Sequence, residues 1–351
     1  MKLGFFTLAD NTPLYGAYQI SNDEIIRRII DQAVIADALG FHSFWFPEHH
    51  GGGYCISPSP GILIGHTTAR TKQIRLGAAC VVLPVNQPLR VAAEYALLDQ
   101  LSNGRVVLAL GRGYSQDEYS AFGVSFDDSR ELLEEGVQLI RAAWTEKPFT
   151  FCGKHLRVKE QFELNQYPQQ SPHPDLYLAL WSKGTMELAA RLGMNIIFTP
   201  FAAQLAFGGI APAVKQYRSR ISEHGHAGPM KILCSYYCAV AGNEADTRAH
   251  RERLLRLLKA LIPSLPEDTA SLPPHFEYLR GITRTLTELR ADDLGDSSIA
   301  TGTPEKIVEI LKGVEQNGID EVLLNIDFGG ATNEQVQWQL KQLAEHVLPH
   351  F

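Results

Sequence analysis

The sequence predicts a parallel (β/α)8 barrel, or TIM barrel, and two observations support this prediction. Eight short apolar segments alternate with amphipathic segments whose apolar residues recur at helical spacing. The chain has 351 residues, which exceeds the roughly 250 residues of a bare barrel and leaves room for insertions. Eight repeats favour closure over an open sheet. Because no linker or change of composition interrupts the pattern, we expect residues 1–351 to form one domain.

The predicted strands and helices follow one another along the chain. Strands are expected at Lys2–Thr7, Ser43–Phe46, Ile74–Leu83, Arg105–Leu110, Leu176–Leu180, Asn195–Thr199, Ile232–Val240 and Glu321–Ile326. Helices are expected at Asn22–Leu39, Pro58–Arg70, Leu89–Leu101, Ser129–Trp144, Thr185–Leu192, Pro212–His224, Glu244–Leu261, Pro304–Asn317 and Gln335–His346. The first helix has clear signals, since Ser21 and Glu24 fit a capping box and Gly40 fits a C-terminal stop.

Two stretches break the alternation and are predicted to be insertions. Residues 145–174, after the helix of strand four, are rich in Pro and Gln, and residues 262–300, before strand eight, are irregular. We expect residues 262–300 to form a mobile lid over the strand ends. The segment Phe201–Gly209, after strand six, is apolar and is expected to be flexible, which suggests a hydrophobic substrate.

Composition excludes several classes of protein. The formal net charge is -7 with no basic stripe, so we expect no nucleic-acid partner. No run of about 18 apolar residues is present, so we expect no membrane span. The cysteines form no C-x-x-C pair and are interpreted as reduced thiols in a cytoplasmic protein. They are Cys55, Cys80, Cys152, Cys234 and Cys238.

The second strand is followed by a segment that carries acid–base groups. Glu48, His49 and His50 lie where a barrel places its functional residues, and a carboxylate beside two imidazoles suits proton transfer or metal binding. Neighbouring side chains of an extended segment point to opposite sides, so Glu48 and His50 are expected to share one side. A polar loop braced by hydrogen bonds is the alternative interpretation.

Two further segments at strand ends offer donors to an anion. Gly111–Tyr114 closes strand four, where glycines let the backbone approach a ligand and Arg112 can bind an anion. Trp181–Thr185 joins strand five to its helix, where the hydroxyls of Ser182 and Thr185 and free N–H groups can hold a phosphate. A structural salt bridge for Arg112 and simple helix capping for Ser182 are the alternatives.

Other signatures are absent or weak. The small-residue segment Leu76–Pro84 by itself predicts a buried strand, with Cys80 as a packing residue. The chain has no G-x-S-x-G, H-E-x-x-H or P-loop, and no G-x-G-x-x-G follows a strand. Strand one has no H-x-H pair, which disfavours a metal-dependent hydrolase built on Glu48, His49 and His50, and we expect no metal.

Together these segments resemble the bacterial luciferase family of flavin-dependent monooxygenases. The resemblance covers KLGFFTL, WFPEHH, LGAACVVLP, LLDQLSNGRVVLALGRGY, FGVSFDDSRELLEEG and ATGTPEKIVEIL, and it is weakest over residues 245–300. It is closer to the catalytic, alpha-type luciferase subunit than to the non-catalytic subunit. It implies that reduced FMN, supplied by a separate flavin reductase, reacts with dioxygen to give a C4a-hydroperoxyflavin that oxygenates a small, hydrophobic substrate.

The resemblance also implies roles for individual residues. His49 matches the histidine needed for activity, and Glu48 matches a carboxylate beside the flavin. Arg112, Arg130, Ser182 and Thr185 match the FMN phosphate site, and Ala79–Cys80 matches a cis peptide under the isoalloxazine ring. Tyr114 is placed in the same cofactor site. So are Gly111, which stands where luciferase has a reactive cysteine, and Trp181, which stands where it has an acidic residue.

Three matters stay open at the level of sequence. A deazaflavin-dependent oxidoreductase of the same fold is one alternative, and a non-catalytic flavin-binding protein, which the retained His49 and Arg112 disfavour, is another. The substrate is not identified. The helix Pro58–Arg70 matches the family's subunit interface, and we expect a homodimer formed through its small residues, Gly61, Gly65, Thr67, Thr68 and Ala69.

Overall fold

Eight parallel strands form a closed ring at the centre of the computed structural model, which describes residues 1–51, 54–226, 228, 230–265 and 282–351. In ring order they are β1 (Lys2–Phe6), β2 (Ser43–Phe46), β3 (Arg75–Val82), β4 (Val106–Gly111), β7 (Leu176–Ala179), β8 (Asn195–Phe198), β9 (Ile232–Val240) and β11 (Glu321–Asn325). The ring closes because β11 pairs with β1. The prediction of a (β/α)8 barrel is therefore confirmed.

Helices connect the strands and surround the barrel. Those in the described residues are α1 (Asn22–Leu39), α2 (Pro60–Thr68), α3 (Pro88–Leu101), α4 (Gln116–Ala121), α5 (Ser129–Thr145), α6 (Lys183–Leu192), α7 (Pro200–Phe207), α8 (Ile210–Glu223), α9 (Glu244–Ala260), α10 (Ile282–Glu288), α11 (Pro304–Gln316) and α12 (Asn333–His346). The helices and strands expected from the sequence begin and end within two residues of the observed bounds. None of the described helices has the length and apolarity needed to cross a membrane.

Both segments predicted to be irregular insertions contain regular structure. Residues 145–174 hold an antiparallel hairpin of β5 (Phe149–Cys152) and β6 (Arg157–Phe162). Residues 262–300 hold α10 and a short strand, β10 (Ile299–Gly302), which pairs in parallel with β9. Residues 266–281 of the expected lid lie outside the described residues.

The segment Phe201–Gly209, which we expect to be flexible, is mostly helical. Helix α7 begins at Pro200, whose fixed φ angle suits a first helical turn. The hydroxyl of Thr199 accepts the backbone N–H of Ala202 at 3.1 Å and caps the helix. The chain leaves the helix at Gly208, which has a φ of 84°.

The barrel interior is filled from its amino-terminal end, which leaves its carboxyl end for a cavity. Trp45 is 1% exposed and points into the barrel with Phe6, Tyr177 and Leu323. Gly77 lies opposite Trp45, and a Cβ atom there would stand only 2.3 Å from the indole ring. Glycine at this position therefore leaves room for the Trp45 side chain in the amino-terminal part of the barrel interior.

Candidate active site

A mostly apolar cavity lies at the carboxyl ends of the barrel strands. Nine of the eleven residues predicted to form the site line it: Glu48, His49, Ala79, Cys80, Gly111, Arg112, Tyr114, Trp181 and Thr185. The remaining lining comes mainly from apolar side chains of β1, β8, α7, α9 and α10. None of the described lining residues is exposed. This first cavity therefore joins the four separate sequence segments into one mostly apolar site.

One edge of the first cavity has the groups that a phosphate requires. Ser182 caps α6, because its Oγ accepts the backbone N–H of Thr185 at 3.2 Å, and the two hydroxyl oxygens lie 3.1 Å apart. The guanidinium of Arg130 lies about 3.7 Å from the point where a Cβ of Gly184 would stand. Arg112 is 8% exposed and lines the cavity with Thr185. Two cations, two hydroxyls and a helix N-terminus fit a phosphate monoester.

The floor of the first cavity is formed by the end of β3. The Ala79–Cys80 peptide is cis, as the resemblance implies, and the pairing of β3 with β4 shifts register between Ala78 and Val81. A Cβ at Gly111 would stand 2.1 Å from the Cys80 sulfur, so only glycine fits beside this cysteine. Burial raises the pKa of the Cys80 thiol to about 12, which agrees with a packing role.

Glu48 is held in place by three donors at the edge of the first cavity. Its carboxylate accepts the backbone N–H of Val82 at 3.2 Å and the Asn86 amide at 2.7 Å. The ring of His50 lies 2.8 Å from the same carboxylate, which raises the His50 pKa. The prediction that Glu48 and His50 share one side of the segment is therefore confirmed, and this pairing assigns His50 a bracing position.

His49 has different partners, and sequence reasoning missed all of them. Its Nδ1 lies 3.0 Å from Glu118 Oε1, and its Nε2 lies 2.8 Å from the hydroxyl of Tyr54. That hydroxyl lies 2.7 Å from the hydroxyl of Tyr114. Glu118 also accepts the backbone N–H of His50 at 2.9 Å. Because His49 and His50 bind different carboxylates, the segment does not form the converging ligand set of a metal site.

The sequence gives a misleading signal for Glu118. Ser115 and Glu118 have the spacing of a capping box, in which the glutamate side chain would turn back to its own helix start. Ser115 does cap α4, accepting the Glu118 backbone N–H at 3.3 Å. The carboxylate instead turns to the histidine segment after β2, and no local pattern reveals this contact.

Comparisons with known proteins identify the family. The family model of luciferase-like monooxygenases matches residues 1–321. The chain therefore belongs to the luciferase-like monooxygenase family.

Individual relatives span almost the whole chain. The alkanal monooxygenase alpha chain of the Kryptophanaron alfredi symbiont is 24% identical, covering 100% of this chain and 98% of its own. The oxygenase component of a flavin-dependent trigonelline monooxygenase from Acinetobacter baylyi is 23% identical, covering 95% and 93%. The crystal structure of the monooxygenase RslO1 from Streptomyces bottropensis has a TM-score of 0.82 at 27% identity, covering 100% and 99%.

Proposed function

We propose that this chain is the oxygenase component of a two-component flavin-dependent monooxygenase. It takes reduced FMN from a separate flavin reductase and, with dioxygen, oxygenates a small hydrophobic substrate by the hydroperoxyflavin route that the sequence resemblance implies. One observation carries the proposal: Arg112, Thr185, the cis peptide and His49 line one cavity, and the other predicted phosphate donors, Ser182 and Arg130, lie beside Thr185 and Gly184. The name of the Acinetobacter relative, an oxygenase component, supports the two-component arrangement.

The phosphate donors and the floor explain how this site would hold FMN. Arg112, Arg130, Ser182 and Thr185 would bind the phosphate, and Ala79–Cys80 would lie under the ring system. Reduced FMN supplies the electrons that activate dioxygen, and the protein supplies orientation and a dry environment. His49 and Glu48 line the cavity and are the proposed catalytic residues, with His49 handling protons.

The apolar side of the first cavity supports a hydrophobic substrate. Phe201 of α7, Leu258 of α9, Leu261, and Ile282 and Leu286 of α10 line it. These side chains offer no charge or strong hydrogen-bond donor to a substrate, so selection would rest on shape and burial of apolar surface. A small apolar ketone, aldehyde or aromatic compound has this chemistry.

We also propose a homodimer, for a reason that differs from the sequence argument. The small residues of α2 do not form a free face, because Gly61 and Gly65 lie against Leu98 of α3 in the same chain. The neighbouring apolar side chains are exposed instead. Ile62 is 73% exposed, Leu97 is 51% exposed and Leu101 is 59% exposed. Large apolar side chains exposed together on two adjacent helices favour contact with a second copy.

The test supplies chemically reduced FMN or reduced deazaflavin to the pure protein with a panel of small apolar substrates under ¹⁸O₂. We expect binding of reduced FMN, incorporation of one labelled oxygen atom into product, and less hydrogen peroxide when the right substrate is present. Binding of deazaflavin with hydride transfer to or from the substrate, without consumption of dioxygen, would establish the alternative oxidoreductase and overturn the proposal.

A further inference from the structure

The hydrogen-bonded chain Glu118–His49–Tyr54–Tyr114 separates two cavities. The second cavity has a volume of about 420 Å³ and shares His49, Tyr54 and Tyr114 with the first cavity. Its lining also includes Glu118 and the exposed Asp117, so it reaches the protein surface. The first cavity has no exposed lining residue among those described. These hydrogen-bonded residues therefore stand between a mostly apolar cavity and a more polar cavity with exposed residues in its lining.

The direction of each hydrogen bond between Glu118 and Tyr114 follows from the protonation of Glu118 and Tyr54. Burial acts to raise the pKa of Glu118, but the hydrogen bonds from His49 and the His50 N–H outweigh it, and the pKa is lowered. Oε1 of Glu118 already accepts the backbone N–H of His50. An ionised carboxylate can only accept, so we assign the proton between Glu118 and His49 to Nδ1 of His49. Burial raises the pKa of Tyr54 well above its ordinary range, with Tyr114 adding to the effect, so its hydroxyl stays protonated.

These two facts fix the remaining bonds. In neutral His49, Nε2 has no proton and accepts the hydroxyl of Tyr54, whose oxygen then accepts the hydroxyl of Tyr114. Both nitrogens of His49 are thus engaged by protein groups. A proton that follows these hydrogen bonds from His49 passes through the hydroxyl of Tyr54 to that of Tyr114, which also lines the first cavity.

We propose that Tyr114 gives and takes the proton in the first cavity, that His49 stores it, and that Tyr54 and Glu118 are positioning residues of this relay. The inference rests on the proposed function, because it assumes a reaction that needs a proton in this cavity.

Proton balance holds at each step. Protonated His49 donates Nε2–H to Tyr54, Tyr54 donates to Tyr114, and Tyr114 releases its proton to an acceptor in the cavity. His49 ends neutral, and each tyrosine oxygen gains one proton and loses one. When the same transfers run in reverse, Tyr114 takes a proton from a group in the first cavity, His49 becomes protonated, and the relay acts as a base. Glu118 compensates the charge of the protonated ring in both directions.

The relay accounts for how a dry site can exchange protons. Enclosed sites exclude water that would divert the reaction. The second cavity reaches solvent on the other side of the chain, and His49 and Tyr54 line it as well. Protons can therefore be exchanged with solvent through the more polar second cavity, on the side of His49 away from the apolar substrate groups. The other ionisable pair near His49 is Glu48 with His50, which belongs to the bracing contacts of the loop.

The first test needs no flavin. ¹⁵N NMR of histidine side chains in the pure protein, with His49 assigned by its loss in His49→Gln, reports which ring nitrogen carries the proton. We expect the Nδ1–H form, a Glu118→Gln variant with a smaller Nδ1–H fraction, and a changed Nε2 shift in Tyr54→Phe. Tyr95→Phe is the matched control. The Tyr95 hydroxyl is buried, has no hydrogen-bond partner among the described residues and is not one of the four residues of the proposed relay. A wild-type ring protonated at Nε2 alone would overturn the relay.

The second test uses the protein loaded with reduced FMN and mixed with dioxygen and substrate. We expect Tyr114→Phe to lower product formation about 10²-fold or more, as loss of a positioned acid or base does, and Tyr95→Phe to change it less than about twofold. The double variant His49→Ala/Tyr114→Phe should lose no more than His49→Ala, because both belong to one relay.

The outcomes separate the two claims. If Tyr114→Phe behaves like Tyr95→Phe while wild type oxygenates its substrate, the relay is overturned and the proposed function stands. If the losses of His49→Ala and Tyr114→Phe multiply, the two residues act independently and the relay is again overturned. If the protein does not bind reduced FMN, the proposed function fails. The NMR experiment still decides the direction of the hydrogen bonds from Glu118 to Tyr114.

Discussion

The two ends of the barrel each bury a glutamate beside a histidine, with opposite results. At the carboxyl end, Glu118 lies 3.0 Å from His49 and its pKa is lowered. At the amino end, Glu321 lies 4.0 Å from His42, and burial raises the Glu321 pKa to about 7. Burial, with the charge of Arg75, lowers the His42 pKa to about 4.

Hydrogen-bond donors explain the difference. Glu118 accepts from a ring nitrogen and a backbone N–H, which favour its charged form. Glu321 accepts from the hydroxyl of Ser43, and this bond offsets only part of the burial cost. The amino end therefore holds a packed carboxyl group whose protonated form burial favours, and the carboxyl end holds a carboxylate whose charged form its donors favour, beside a cavity. This division agrees with the general assignment of stability and catalysis to the two ends of such barrels.

The largest expected effect is a loss of activity when the histidine in the cavity at the carboxyl end is replaced, compared with histidines outside that cavity. His49→Ala should keep FMN binding but lower product formation by about 10²–10⁴-fold, because a positioned acid or base is lost. Hydrogen peroxide release should rise in its place. His50→Ala and His42→Ala should cost less than about tenfold, since neither ring lines the first cavity. Product and peroxide are measured per FMN oxidised, and similar losses below tenfold for His49→Ala and His50→Ala would contradict the assignment.

The next effect separates the ends by stability. Glu321 has a raised pKa in the folded protein. Its contribution to the free energy of unfolding is therefore fully present below the ordinary pKa of 4.5 and is lost as the pH rises through about 7. The loss is at most on the order of 3 kcal/mol of unfolding free energy. Glu321→Gln should remove this loss, which urea unfolding at pH 5 and pH 8 measures.

Glu118→Gln is the matched variant at the other end, and its sign is opposite. The pKa of Glu118 is lowered in the folded protein, so its contribution is present above the ordinary value and is lost as pH falls. The variant should therefore flatten the acid side of the stability profile and leave the alkaline side unchanged. A pH dependence of the same sign in both variants would refute the comparison.

A smaller effect is expected on self-association through α2, on the side of the barrel, without a change at either end of the barrel. Ile62→Glu on α2 should weaken self-association by about tenfold or more, since a charge would enter a buried apolar contact. Ile26→Glu on α1, where isoleucine is 42% exposed, is the control. Sedimentation across micromolar concentrations checks both variants, and a wild-type monomer in that range would remove the dimer from the account.

Sequence reasoning succeeded where the physical signal is local. Apolar periodicity, capping residues and the positions of strand ends predicted the barrel and the segments at its strand ends. The resemblance to the family supplied the site residues, nine of which line one cavity in the structure. It failed where a contact joins distant segments. Tyr54 and Glu118 reach His49 from a loop and from α4, and the Glu118 spacing suggests a helix cap. The hairpin of β5 and β6 was missed because its second strand is largely exposed and lacks apolar alternation.

The central claim is that the carboxyl end of the barrel binds FMN through its phosphate, and one titration tests it most directly. Fluorescence quenching compares FMN with riboflavin, which lacks the phosphate, in wild type and Arg112→Ala. The account predicts that Arg112→Ala weakens FMN binding by about 1.5–3 kcal/mol, or roughly 10- to 150-fold, and leaves riboflavin binding nearly unchanged. Equal FMN affinity in the two proteins would contradict the proposed site.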